Sequence, residues 1–324
     1  MTSMPLRSLA LACLLALPAL AAAQVPLPRG TSAGPCVEGI CEYRLGNGLR
    51  VLLFPDASKP TVTVNLTYLV GSVHENYGET GMAHLLEHLL FKGTPTHGDI
   101  PGELKKRGVG FNATTSLDRT NYFSSFPAND ATLDFVLGLE ADRMRNAFVA
   151  KKDLDSEMTV VRNELERNEN NPGSVLNQRL RSVAYDWHNY GNSTIGARSD
   201  VEQVPIERLQ AFYRTWYRPD NAVLIVAGRF DAAPVLASVS RRFAPLKNPP
   251  AALPAAWTQE TTQDGAREVT VRRTGDIRIT SIAYHIPAAT HPDTPALDLL
   301  ASNGRLVKRP FLIAGAAGLV GFNE

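Results

Sequence analysis

The sequence predicts an α+β fold, an antiparallel-rich sheet packed with helices. Three observations carry this. Short runs of β-branched and aromatic residues are interspersed with longer stretches of helical period. These runs do not follow strict β-α alternation, which argues against a doubly wound parallel sheet. The 324 residues are 44% hydrophobic and 20% charged, so there are enough apolar side chains for real cores. With a net charge of +1, a chain disordered as a whole is excluded, and nothing electrostatic argues for a nucleic-acid partner. Three cysteines exclude a disulfide-stapled miniprotein and a four-thiolate zinc site.

The elements follow in order. Residues 1–23 read as a secretory signal peptide: Arg7 gives a positive start, Ser8 to Ala22 is apolar, and Ala21 and Ala23 form an A-x-A pattern before Gln24. The apolar run is shorter than the ~20 residues a spanning helix needs, and Pro18 interrupts it. The expectation is therefore an exported chain, periplasmic or secreted, with no stable membrane insertion. Export leaves Cys36 and Cys41 in an oxidising space, as a disulfide closing a small loop or as two unpaired thiols. Residues 24–41, rich in proline and glycine, read as a tether. Tyr43–Leu45 and Leu49–Phe54 flank Gly46-Asn47-Gly48 and predict a hairpin. Thr61–Val70 predicts a strand, a helix begins near Met82, and Gly108–Phe126 predicts a strand pair. Helices are predicted over Leu133–Phe148, Leu154–Asn168, Ser174–Tyr185 and Ile206–Trp216, with a short buried strand at Ala222–Ala227. Residues 246–266 read as a proline-stiffened linker. Strands are predicted at Glu268–Arg273 and Ile277–His285, and a helix from about residue 293.

The chemistry concentrates in Gly81-Met82-Ala83-His84-Leu85-Leu86-Glu87-His88. On a helix His84 and His88 lie one turn apart on one face, where two imidazoles can converge on one zinc ion. Glu87 lies on the adjoining edge, where a general base must sit to take a proton from zinc-bound water. H-x-x-E-H is the inverse of the common zincin order. A zinc site needs a third protein ligand. Glu157 and Glu164, two helical turns apart, supply candidates: one can bind metal while the other stands behind a histidine. His74, His97, His188, His285 and His291 have no H-x-x-x-H partner and read as surface or packed residues.

These blocks resemble the pitrilysin/insulinase family of zinc peptidases, which includes mitochondrial processing peptidase. The likeness spans residues 42–245. It rests on Asn47-Gly48-Leu49-Arg50-Val51, on Gly71 and Glu75, and on the H-x-x-E-H block with Phe91-Lys92-Gly93-Thr94. Asn112-Ala113-Thr114-Thr115 with Asp118, Thr120 and Tyr122 extends it, as do Tyr190-Gly191, Ile195-Gly196 and Phe212 to Ala222. The resemblance implies a mitochondrial-processing-peptidase-like fold and hydrolysis of peptides or unfolded segments with one Zn2+ per chain. His84, His88 and Glu164 would be ligands, Glu87 the catalytic base and Glu157 a supporting glutamate. Asn112 and Ala113 would lie on a strand to which an extended peptide adds its backbone.

The family pairs such a domain with a related second one. Here residues 267–301 match the opening of that second domain, through Ala283–Ala288 and Pro295–Leu300, and the pattern then stops. Residues 302–324, with Lys308-Arg309-Pro310 and Val320-Gly321-Phe322, resemble the C-terminal part of arsenate-reductase-like proteins. The expectation is a truncated peptidase of reduced activity, with a second peptidase-family chain supplying the missing domain as its partner. A non-catalytic binding or assembly subunit of a two-chain peptidase is the alternative. It is disfavoured because such subunits lose the H-x-x-E-H residues, and all of them are present here.

Overall fold

The computed structural model describes residues 25–303 and 320–323. The stretch read as a signal peptide (residues 1–23) and most of residues 302–324, read as resembling arsenate-reductase-like proteins, lie outside the described residues. Seven strands form one sheet: β1 (Thr31–Val37), β2 (Ile40–Leu45), β3 (Arg50–Pro55), β4 (Thr61–Tyr68), β5 (Gly110–Thr115), β6 (Thr120–Pro127) and β7 (Ala222–Gly228). Their spatial order is β1-β2-β3-β7-β4-β6-β5. Only β3–β7 is parallel. In β4 the residues alternate, with Val62, Val64, Leu66 and Tyr68 buried, as a sheet with one face on a core requires. β7 reads AVLIVAG, mostly buried, because it is paired on both sides by β3 and β4.

Between and after these strands run α1 (Met82–Leu89), α2 (Ile100–Lys106), α3 (Asp130–Asn146), α4 (Lys151–Asn170), α5 (Pro172–Ala184), α6 (Arg198–Gln203), α7 (Ile206–Trp216) and α8 (Ala232–Phe243). Side chains fix several starts. Asn129 accepts from Thr132 N at 2.9 Å to cap α3, and Asn171 caps α5 from Ser174 N at 2.9 Å, with Pro172 in its first turn. α8 packs on α3, and Asp134 joins them by accepting from Ser238 Oγ (2.5 Å) and pairing with Arg241 and Arg242. The Arg242 pairing holds Asp134 down at about 2. Beneath the sheet Arg143 pairs with Glu140, and its guanidinium lies 4.2 Å from the Tyr122 ring centroid. The Tyr122 hydroxyl meets that of Tyr217 at 3.1 Å, tying β6 to the end of α7.

Three differences from the sequence reading have physical causes. The stretch read as a tether carries β1, paired antiparallel with β2 and joined to it by a Cys36–Cys41 disulfide across directly opposed positions. Its prolines and glycines are compatible with a strand because β1 is an edge with an irregularity between Ala33 and Cys36, where Pro35 sits. The proline-rich stretch 246–266 has no regular element but is docked rather than free. Leu246 and Leu253 pack on the core, and Arg218 Nη1 donates to Ala251 O at 2.7 Å. Glu260 accepts from the backbone N–H groups of Asp186, Trp187 and His188 at 2.7–3.0 Å. Residues Glu268–Arg273 form no strand. The following run contributes only β8 (Ala283–Ile286), which precedes α9 (Thr294–Asn303) and pairs in parallel with β9 (Val320–Asn323). The helices α2, α6 and α8 are additions to the sequence reading.

Phe243, at the end of α8, is fully buried in the core. Phe243→Ala is expected to lower the unfolding free energy by about 3–5 kcal/mol in urea titration. A change below about 1 kcal/mol would mean that α8 is not part of this core.

Candidate metal centre

The site is built on α1. Met82, Ala83, Leu85, Leu86 and Leu89 face the core, which leaves His84 and His88 on the remaining edge, their side chains each 16% exposed. Gly81 starts the helix at φ +93°, a conformation that favours glycine. A Cβ there would lie 2.7 Å from Ile195 O, and one on Gly196 (φ +82°) 2.3 Å from Thr80 O. The 193–197 loop therefore rests directly on the backbone at the helix start. Glu75 takes the capping role that Gly81 has no side chain to play: its carboxyl oxygens accept from Gly81 N and Ala83 N, both at 2.8 Å. Burial pushes Glu75 up to about 8, against the two N–H donors that favour its ionised form.

α4 runs alongside α1, anchored by Leu154, Val161 and Leu165, and presents Glu157 and Glu164 to it. His84 Nε2 stands 3.3 Å from His88 Nε2 and 3.4 Å from Glu164 Oε2, and His88 Nε2 stands 3.6 Å from the same oxygen. Ligand atoms of a tetrahedral zinc, each about 2.0–2.1 Å from the metal, are separated by about 3.3–3.4 Å. The triangle thus has the size of one face of such a site, and its two imidazoles and one carboxylate are donors that suit zinc. Two ring nitrogens aimed at each other at this distance make no sound hydrogen bond unless one is protonated, whereas both can offer lone pairs to one cation. Hydrogen bonding from His84 holds Glu164 below the usual carboxylate range.

Behind His88, Nδ1 meets Glu157 Oε2 at 3.1 Å, and Lys92 Nζ contacts the other Glu157 oxygen. Burial alone would raise Glu157, and the Lys92 and His88 contacts outweigh it, so its carboxyl sits low. Among the described residues His84 Nδ1 is buried with no partner. Glu87, beside His88, accepts from Thr115 Oγ1 at 2.5 Å. Thr115 ends β5, an edge strand paired only with β6 among the described residues. On that strand Ala113 is buried and Asn112 exposed. A cleft of about 480 Å³ opens beside His84, Glu164 and Thr115 toward α5 and the 191–198 loop.

The structure thus brings His84, His88 and Glu164 together, sets Glu157 behind His88, and puts Glu87 beside the strand of Asn112 and Ala113. Lys92 and Thr115 received no individual role from the sequence, although both lie inside motif blocks. Membership in those blocks was the available signal. Asp118 and Tyr190, from separate blocks, meet through a 2.6 Å hydrogen bond from the tyrosine hydroxyl. None of His74, His97, His188, His285 or His291 joins the cluster.

Residues 50–198 match the family model described as insulinase, peptidase family M16. Residues 203–302 match the model described as the peptidase M16 inactive domain. The chain belongs to the M16 insulinase family. Zinc protease PqqE of Helicobacter pylori is 34% identical over 79% of this chain and 59% of its own length. Among solved structures, a protease from Helicobacter pylori superposes with a TM-score of 0.71 at 31% identity, covering 81% of this chain and 64% of that one. The first half of the periplasmic protease PqqL from Escherichia coli gives 0.64 at 28% identity, covering 70% of this chain and 50% of that one. The chain spans between a quarter and three fifths of the length of the curated relatives it matches, 59% of the Helicobacter pylori protein and 25% of zinc protease PqqL of Escherichia coli. The second M16 match begins at residue 203, whereas α7, β7 and α8 belong by packing to the same sheet domain as α1.

Glu75 yields a pH signature. Its folded value, about 8, lies above the unbonded 4.5, so the stability it contributes is full below about pH 4.5 and is lost as pH rises through about 8. In metal-free protein, the stability advantage of wild type over Glu75→Gln should shrink across that window. Urea titrations at a series of pH values check this, and a constant difference would refute it.

Proposed function

We propose that this chain is a zinc-dependent metalloendopeptidase acting on peptides or unfolded segments of proteins. One observation carries the reading: three zinc-type donor atoms stand 3.3–3.6 Å apart beside a glutamate that abuts a free sheet edge. His84, His88 and Glu164 hold the metal, and Glu157 supports His88. When bound, zinc supplies Lewis-acid polarisation of the scissile carbonyl and acidifies water. Glu87 takes the proton of the attacking water and delivers it to the departing amine nitrogen. The Thr115 hydroxyl, donating to Glu87, fixes which carboxylate oxygen remains free for that transfer. The substrate adds along β5 as a further strand at Asn112 and Ala113, so that main-chain hydrogen bonds place the scissile bond over Glu87. Binding through the backbone would favour extended chains over folded ones.

An exported location, periplasmic or secreted, accords with three observations. The leader pattern occupies residues 1–23, Cys36 and Cys41 form a disulfide, and the Escherichia coli neighbour is described as periplasmic. No helix among the described residues is long and apolar enough to cross a membrane. Exposed Ile277, Ile282, Tyr284, Leu299 and Leu300 support a second family chain or domain as a partner covering this surface.

The test expresses residues 24–324, counts bound zinc, and follows a quenched unfolded peptide. The expected result is about one zinc per chain and hydrolysis that stops when a chelator removes the metal. Glu87→Gln should keep the metal and lower kcat by about 10²–10⁴-fold. A well-folded chain that takes up no zinc would overturn the reading.

A further inference from the structure

We propose that Lys92 is a positioning residue of the metal centre, clamping Glu157 so that His88 is held with its Nε2 toward the metal point. The proposal rests on the zinc reading above. Glu157 divides its two oxygens: Oε1 contacts Lys92 Nζ, and Oε2 meets His88 Nδ1 at 3.1 Å. Accepting from Nδ1–H fixes the tautomer whose Nε2 lone pair is free to bind a cation. A glutamate on a largely polar helix otherwise samples several rotamers, and the ammonium on its second oxygen removes that freedom.

The lysine can act as a clamp because its backbone is pinned. Lys92 N donates to Leu89 O at 3.0 Å, closing the end of the helix that carries both histidines. The next residue, Gly93, sits at φ +125°, and a Cβ there would lie 2.8 Å from His97 O. Gly93 O accepts from Phe148 N at 3.1 Å. Thr94 is buried, donates to Asp142 at 2.5 Å, and accepts from Thr96 N and His97 N. The Gly93-Thr94 turn is thus fixed to α3 and to the segment before α4, and Lys92 projects from it onto α4. Its side chain is 28% exposed, so the contact lies at the rim of the core and its loss leaves the apolar packing intact. Among the described residues His84 has no such support: its Nδ1 is buried without a partner. Of the two imidazoles, His88 is thus the one oriented through its Nδ1, by Glu157.

The experiment titrates the metal-free full chain with zinc against a competing chelator and checks folding by thermal melt. Wild type is compared with Lys92→Met, Lys92→Gln, Lys92→Arg, Glu157→Gln and the Lys92→Met/Glu157→Gln double variant. Glu157→Gln should weaken zinc binding by about 10–100-fold, and Lys92→Met and Lys92→Gln by about tenfold, the lower end of that range. Lys92→Arg, which keeps a cation against the carboxylate, should bind within about threefold of wild type. The double variant should be no weaker than Glu157→Gln alone, because the lysine acts through that glutamate. Folded Lys92→Met and Lys92→Gln variants that bind zinc like wild type would overturn the proposal, as would losses that add in full to that of Glu157→Gln. Both outcomes leave the zinc reading standing. A wild-type chain that takes up no zinc overturns that reading instead, and this proposal with it.

Discussion

The approach of α1 to α4 is the constraint on which the site depends. Two imidazole nitrogens and a carboxylate oxygen must share one point to within a few tenths of an ångström, and they come from helices far apart in the sequence. Neither helix sets this distance alone. α1 is held by its apolar face, by the Glu75 carboxyl at its first turn, and by the close backbone contact of Gly81 with the 195–196 loop. α4 is held by three buried residues, so its polar remainder is free to carry the glutamates. A shift of one helix by an ångström would open the triangle beyond the reach of a small cation.

The sheet does a different job. β7 enters between β3 and β4, closing a crossover that contains α1 to α7. Everything that forms the site is therefore inserted in sequence between β4 and β7, two strands that end up side by side. This insertion leaves β5 at the outer edge, where its far side is unpaired among the described residues and its last residue touches Glu87. An exposed edge strand is ordinarily an aggregation hazard that proteins blunt. Here β5 is short, with exposed Asn112 and Thr114, which limits self-pairing while leaving the backbone available.

The parts legible in the sequence are those set by local period and local turns. The H-x-x-E-H helix, β4, the hairpin through Asn47-Gly48 and the strand pair of β5 and β6 follow from residues within a dozen positions of one another. The spacing of Glu157 and Glu164 showed that both face one way, but not that Lys92 would meet the first of them, because that contact depends on where a turn after α1 is pinned. Thr115 is likewise read only once β5 lies against α1. β1 was hidden because prolines and glycines tolerated at an edge look like those of a loop. The Glu268–Arg273 run has strand composition, yet a strand needs a neighbour to pair with, and none lies beside it among the described residues.

The docked segment after the sheet adds one more link. Glu260 accepts three N–H bonds from residues 186–188, Arg267 pairs with Asp186, and His285 stacks on Tyr185 at 4.7 Å. The same short loop continues to Asn189, whose side chain donates to Val73 O and Glu75 O at 2.9 Å. Glu75 in turn caps the helix of the histidines. Residues beyond the proline-rich stretch are thereby connected to α1 through contiguous hydrogen bonds. Each contact is modest, of the order of 1 kcal/mol. Together they hold the 185–189 loop against the segment that carries Glu75, so the docked residues reinforce the start of α1 without adding a ligand to the cluster among the described residues.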